Sequence, residues 1–142
     1  MSNKIIYTTA EGDLHVVHPT DAVTDLAAHA AEVVPSGVTY EIVAESVIPT
    51  DRLFRGAWTN SSPACITEDL TKSKVIAHEI RRSERATEFA PHDEVISLQI
   101  PGNALTDAET ARTTIREKYA TIQSDIDSAT SVAELRTVLA TI

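Results

Sequence analysis

Side chains able to do chemistry are few in this sequence, and their spacing narrows what they can do. Cys65 is the single cysteine. A thiol nucleophile needs a nearby base and a group that orients that base; His78 and His92 are the candidates, but no local signature joins either to Cys65. The expected role is a structural thiol, buried or half-exposed. His15 and His18 are the nearest approach to a metal pair. Side chains alternate along a strand, so an offset of three sends the two rings to opposite faces, and they are read as surface or turn histidines. The acidic pairs Glu68-Asp69 and Asp93-Glu94 are expected at helix starts, answering the positive end of the macrodipole. No G-x-S-x-G nucleophile elbow occurs. The four glycines, Gly12, Gly37, Gly56 and Gly102, lie far apart and build no phosphate-cradling loop. An ATPase or a dinucleotide enzyme is therefore not expected; a small hydrolase using Cys65 or a histidine is kept as a rival reading.

Two clusters have a composition suited to binding. Lys74, His78, Arg81, Arg82 and Arg85 recur at helical spacing and fall along one face. They could grip an acidic partner, but Glu79, Glu84 and Glu88 interleave, and a self-neutralising, solvated face is the expected outcome. Phe54 and Trp58 stand four residues apart with Arg55 between them, in a chain that is only 4% aromatic. They fit either a hydrophobic clamp between two lobes or a contact hot spot, because Trp and Arg are enriched among interface anchors. The candidate partner-binding residues are therefore Phe54, Arg55, Trp58, Arg81, Arg82 and Arg85.

Composition limits the partners. The chain has 142 residues and a formal net charge of −9, shared by its two halves. Phosphate affinity comes from clustered cations, so nucleic acid is not the expected partner. A polybasic membrane contact is excluded on the same ground. No apolar run approaches the ~20 residues that span a bilayer, and the N-terminal residues hold no apolar stretch of signal-peptide length. One cysteine cannot form an internal disulfide. A soluble, cytoplasmic protein is expected.

The elements that must position these residues follow from patterning. Ile5–Tyr7 and Leu14–His18 flank Ala10-Glu11-Gly12-Asp13 as a hairpin. Thr20 can cap a helix carrying Val23, Leu26, Ala27, Ala30, Ala31 and Val34. Pro35 and Gly37 stop it, and Val38–Val43 resumes β character with Tyr40 and Ile42 on one face. Beyond the loop Thr59–Pro63, the pattern predicts a helix over 70–89, capped by Thr67 or Asp69, striped by Val75, Ile76, Ile80 and Ala86, and ended by Pro91. Residues 93–100 are read as helix, with strand as the alternative. Thr106 with Glu109, and Ser131 with Glu134, each fit a capping box and predict helices over 107–128 and 132–141. In the first of these Ala108, Ala111, Ile115, Tyr119, Ile122, Ile126 and Ala129 step by three or four. That seam is expected to pack on neighbouring helices, a coiled-coil contact with another chain being the alternative. The expected fold is α+β: a small ββαβ lobe (1–58), a linker (59–66) and a helical C-terminal region of three to four helices (67–142).

The order of several segments resembles a known family. Ile5-Ile-Tyr-Thr-Thr9 is followed by Val16-Val-His-Pro19, then Val34-Pro-Ser-Gly-Val-Thr-Tyr-Glu-Ile-Val43. Next come Ile48-Pro-Thr-Asp-Arg-Leu-Phe-Arg-Gly-Ala-Trp58 and the basic Lys72-Ser-Lys-Val-Ile-Ala-His-Glu-Ile-Arg-Arg82. Together these resemble tail-fibre assembly chaperones of tailed bacteriophages, over nearly the whole chain. The resemblance implies a non-catalytic protein that binds the phage tail-fibre polypeptide, at its C-terminal part, and assists folding, trimerisation or solubility in the host cytoplasm. It implies no metal and no cofactor, and leaves room for a homo-oligomer. A tail or baseplate connector retained in the virion is the alternative.

Overall fold

The computed structural model describes residues 2–61, 63–99 and 101–142. Chain contacts divide it into two units, 1–72 and 73–142.

The first unit begins with β1 (Asn3–Thr8) and β2 (Leu14–Val17), followed by α1 (Leu26–Val33) and β3 (Tyr40–Ala44). This is the expected ββαβ order. Both β2 and β3 pair antiparallel with β1, which is central in the order β2-β1-β3. The run Ile5-Ile6 explains that position, since a central strand buries both faces. Ile5 packs with Ala30 and Val34, beneath α1. Ile6, on the opposite face, packs with Val43, Ile48 and Trp58.

Helix α1 starts later than Thr20 suggested. Asp25 is its N-cap and accepts the N–H groups of Ala27 and Ala28, both at 3.0 Å. An aspartate caps better than a threonine, and the Thr20–Thr24 stretch remains outside the helix.

After β3 come two single 3₁₀ turns, Glu45–Val47 and Arg55–Ala57, and then an antiparallel hairpin of β4 (Trp58–Asn60) and β5 (Ile66–Glu68). The stretch 59–66, expected as a linker, thus supplies ladder residues. Its turn chemistry is visible in the sequence, but strands of three residues are too short to show a period. Asn60 pairs with Ile66 and Thr59 with Thr67, and the threonine hydroxyls lie 3.1 Å apart. Ala64 and Ile66 pack on the Trp58 cluster.

Helix α2 (Leu70–Ser97) starts in the first unit and continues into the second; α3 (Asn103–Ser128) and α4 (Val132–Leu139) complete the latter. Three helices therefore follow the strands, within the expected range. Asp69 marks the start of α2, its carboxylate accepting the N–H of Lys72 at 2.7 Å. Pro91, expected to end the helix, sits inside it. Beyond the proline, Asp93 lies 3.0 Å from Arg112 of α3, a half-exposed ion pair that adds at most about 1 kcal/mol. Residues 93–97 are helical, and Asp93-Glu94 lies near a helix end rather than a start; Ile100 is outside the described residues.

The stripe expected on α2 is shifted. Val75 is 55% exposed and Ala86 is exposed, whereas Ile76 and Ile80 are half-buried. Ser73 and Ala77, small residues, are the buried positions. The Thr106–Glu109 box does not start α3, which begins three residues earlier behind Gly102. Inside the helix, Thr106 accepts at its carbonyl from the Thr110 hydroxyl. The second box forms as patterned: Ser131 Oγ accepts the N–H of Glu134 at 3.2 Å, and Glu134 reaches back to the N–H of Thr130 at 2.6 Å.

Candidate interaction surfaces

The seam of α3 is buried inside this chain. Ala108, Ile115, Tyr119, Ile122, Ile126 and Ala129 are at most 7% exposed. Intramolecular packing occupies the face that a coiled-coil partner would need.

Alongside that seam, polar side chains bridge α2 and α3 in strict antiparallel order. Lys74 donates to the Asp127 carbonyl at 2.7 Å, and His78 Nε2 lies 3.0 Å from Asp127 Oδ1. Arg81 donates to Gln123 Oε1 at 2.7 Å. Glu88 Oε1 accepts from Lys118 Nζ at 2.6 Å and from the Tyr119 hydroxyl at 2.8 Å. Asp93 and Arg112 close the series. From His78 onward, each step forward on α2 meets a step back on α3.

Three of the five residues of the expected basic face are therefore structural. Lys74, His78 and Arg81 are committed to α3, and burial together with the neighbouring Arg82 and Arg85 lowers the Arg81 pKa. The expected neutralisation by Glu79, Glu84 and Glu88 along the same helix is not what forms. Among the described residues no ion pair joins those glutamates to the stripe, and Glu88 turns to α3 instead. Hydrogen bonds from Lys118 and then Tyr119 hold the Glu88 carboxyl below its ordinary range. Burial first, and then the Glu88 acceptor, raise the Tyr119 phenol above its own. Arg82 and Arg85 remain exposed.

Phe54 is fully buried and Trp58 is 2% exposed, whereas Arg55 is exposed. Trp58 packs on Ile6, Val43 and Ile48 within the first unit, and its indole N–H is buried without an acceptor. Both aromatics are buried, Trp58 in the core of that unit, leaving Arg55 as the accessible member of the trio.

The open apolar surface lies elsewhere. β3 is hydrogen-bonded to β1 alone, so its outer edge borders no strand among the described residues. Tyr40 and Ile42 are 38% and 41% exposed. They share the α1 face of the sheet, since they stand opposite Tyr7 and Ile5. Helix α1 packs over Ile5, Tyr7 and Val17 and leaves this end of the sheet accessible. A groove of about 420 Å³ runs beside it, lined by Tyr7, Thr8, Thr39, Tyr40 and Asn60 among others. The alternation of Tyr40 and Ile42 was legible in sequence; what was missing was that the core face of β3 belongs to Val43.

The remaining reactive groups are dispersed. Cys65 is exposed in the β4–β5 turn, more open than a packed structural thiol. His15 stacks on Tyr7 with centroids 5.1 Å apart. The His78–Asp127 pair has the outline of a base with its orienting acid, but His78 Nδ1, the nitrogen that would face a reactant, is buried without a partner. Among the described residues, no three His, Cys, Asp or Glu side chains gather as a metal site.

Fold and surface together define an α+β protein with a three-stranded sheet open at one edge and a separate unit built on a helical hairpin. No protein-family model matches the chain, and neither a curated protein nor a solved structure does. No described helix is long and apolar enough to cross a membrane.

Proposed function

We propose that this protein is a non-catalytic assembly chaperone for a phage tail fibre, binding the fibre polypeptide and assisting its folding, trimerisation or solubility in the host cytoplasm. The observation that supports this reading most directly is the unpaired edge of β3 with Tyr40 and Ile42 exposed beside it. A fibre subunit awaiting its partners exposes strand edges and apolar surface, both aggregation hazards. An edge strand can cover such a segment by β-augmentation, main-chain hydrogen bonds giving affinity and alternate side chains giving selectivity. The net charge of −9 would keep the resulting complex dispersed. The order of sequence segments is the second support.

Co-expression with the adjacent fibre gene tests the reading, scoring soluble trimeric fibre and co-purification. The expected result is soluble fibre only in the presence of this chain, with the chain absent from purified particles or present below stoichiometry. A fixed stoichiometric copy number in particles supports a connector instead. Full fibre yield without the protein, and no association, overturns both.

A further inference from the structure

Three guanidinium groups gather around one ring in the helical unit. Arg85 Cζ lies 5.0 Å from the centroid of Phe89, one turn further along α2; Arg112 and Arg116 approach the same ring from α3, at 5.7 and 6.0 Å. The ring face attracts each cation by about 0.5–1 kcal/mol at an exposed site, but like charges this close repel one another. Only Arg112 is compensated, by Asp93 at 3.0 Å and Glu109 at 3.5 Å. Arg85 and Arg116 are exposed, and among the described residues no carboxylate lies within ion-pair distance of either. A protein with 21 acidic residues against 12 basic ones thus leaves two arginines without an ion pair around one half-buried aromatic ring.

We propose that Arg85, Phe89 and Arg116 form a docking site for an acidic segment of a partner polypeptide. Each guanidinium takes a carboxylate, and the exposed part of the ring takes a neighbouring apolar side chain. Charge complementarity selects that occupant: a planar guanidinium fork matches a carboxylate in two parallel hydrogen bonds. Seating the stems against the ring limits the freedom lost on binding. A polyphosphate backbone fits less well, because it needs a track of cations, and of the three arginines around the ring only these two stand without an ion pair among the described residues. The proposal stands on the helical unit and does not depend on the fibre reading.

The test is fluorescence-anisotropy titration of the full-length protein with a labelled glutamate-rich peptide carrying one leucine, and in parallel with labelled oligothymidylate. The peptide is expected to bind, more weakly as salt rises. Binding should fall about tenfold in the double variant Arg85→Gln/Arg116→Gln with an unchanged circular-dichroism melt. Arg52→Gln, in the other unit, should bind as wild type. If the double glutamine variant fails to fold, Arg85→Lys/Arg116→Lys keeps charge without the fork and should still weaken binding several-fold. No peptide binding, undiminished binding in these variants, or preference for oligothymidylate through the same arginines overturns the proposal.

Discussion

The carboxylate of Glu41, on β3, accepts the backbone N–H of Ala64 at 2.7 Å, pinning the turn of the β4–β5 hairpin to the sheet. Its other oxygen accepts from the Asn60 side-chain amide at 3.1 Å. Ala64 is held at a φ of +45°, a region that favours glycine. Ala64→Gly should therefore raise unfolding free energy by about 0.5 kcal/mol, the relieved backbone strain exceeding the added unfolded-state entropy. Glu41→Ala, which leaves that N–H without its acceptor, should cost about 1–2 kcal/mol. Urea titrations of both variants check the pair; equal midpoints would mean the turn is not pinned in solution.

Trp58 fills the core but hides an unpaired N–H. Trp58→Ala should cost about 3–5 kcal/mol, as large aromatic deletions do. Trp58→Phe keeps a ring and removes the orphan donor, so its cost should stay below about 1.5 kcal/mol. Thermal melts of both separate the two effects, and a phenylalanine variant as damaged as the alanine one would show that the N–H has a partner.

Stability should decline at both ends of the pH scale, for groups that share one hydrogen bond. The Glu88 pKa is depressed in the fold, so its contribution is complete above about pH 4.3 and is lost as pH falls through the folded value. The Tyr119 pKa is raised, so stability falls as pH rises above about 10, where the unfolded phenol ionises and the folded one stays protonated. Glu88→Gln should flatten the acid limb and Tyr119→Phe the alkaline limb, the latter at a cost near neutral pH of about 1 kcal/mol. Melting temperature against pH reads both limbs.

Pro91 lies exposed inside α2, where it can donate no backbone bond. Pro91→Ala should stabilise the protein by about 1–3 kcal/mol, measured by denaturant unfolding. A loss of stability would indicate that the proline sets a path the distal turn needs.

At the sheet edge, Ile42→Lys should change stability by less than about 0.5 kcal/mol, because the side chain is already well exposed. A lysine on an edge strand discourages pairing, so the same variant should lose soluble fibre in co-expression. Retained fibre yield would move the contact away from β3.

What the sequence made legible was whatever local pattern decides. The ββαβ order, the α3 seam and the Ser131–Glu134 box follow from period and capping chemistry. The β4–β5 hairpin was hidden because its strands are only three residues each and its anchor, Glu41, comes from a strand far back in the chain. Pro91 misled because a proline inside a helix removes one backbone bond and bends the axis without preventing the turns on either side from forming. The candidate surface was the least legible part. Phe54 and Trp58 looked like anchors by residue type, and only three-dimensional packing assigns them to the core. Arg85 was found through helical spacing; Phe89 and Arg116 escaped because their meeting depends on how two helices align.

That alignment has a consequence for how the hairpin keeps its identity. An oily strip of alanine and isoleucine is nearly indifferent to slippage by one turn, since similar knobs recur at every step. The bridges are less indifferent: a one-turn slide in either direction would take Glu88 away from both Lys118 and Tyr119, from which it accepts at 2.6 and 2.8 Å. Adhesion and address are thus written in different residues, and a variant stripped of its bridges should still hold its helices together while forgetting which turn faces which.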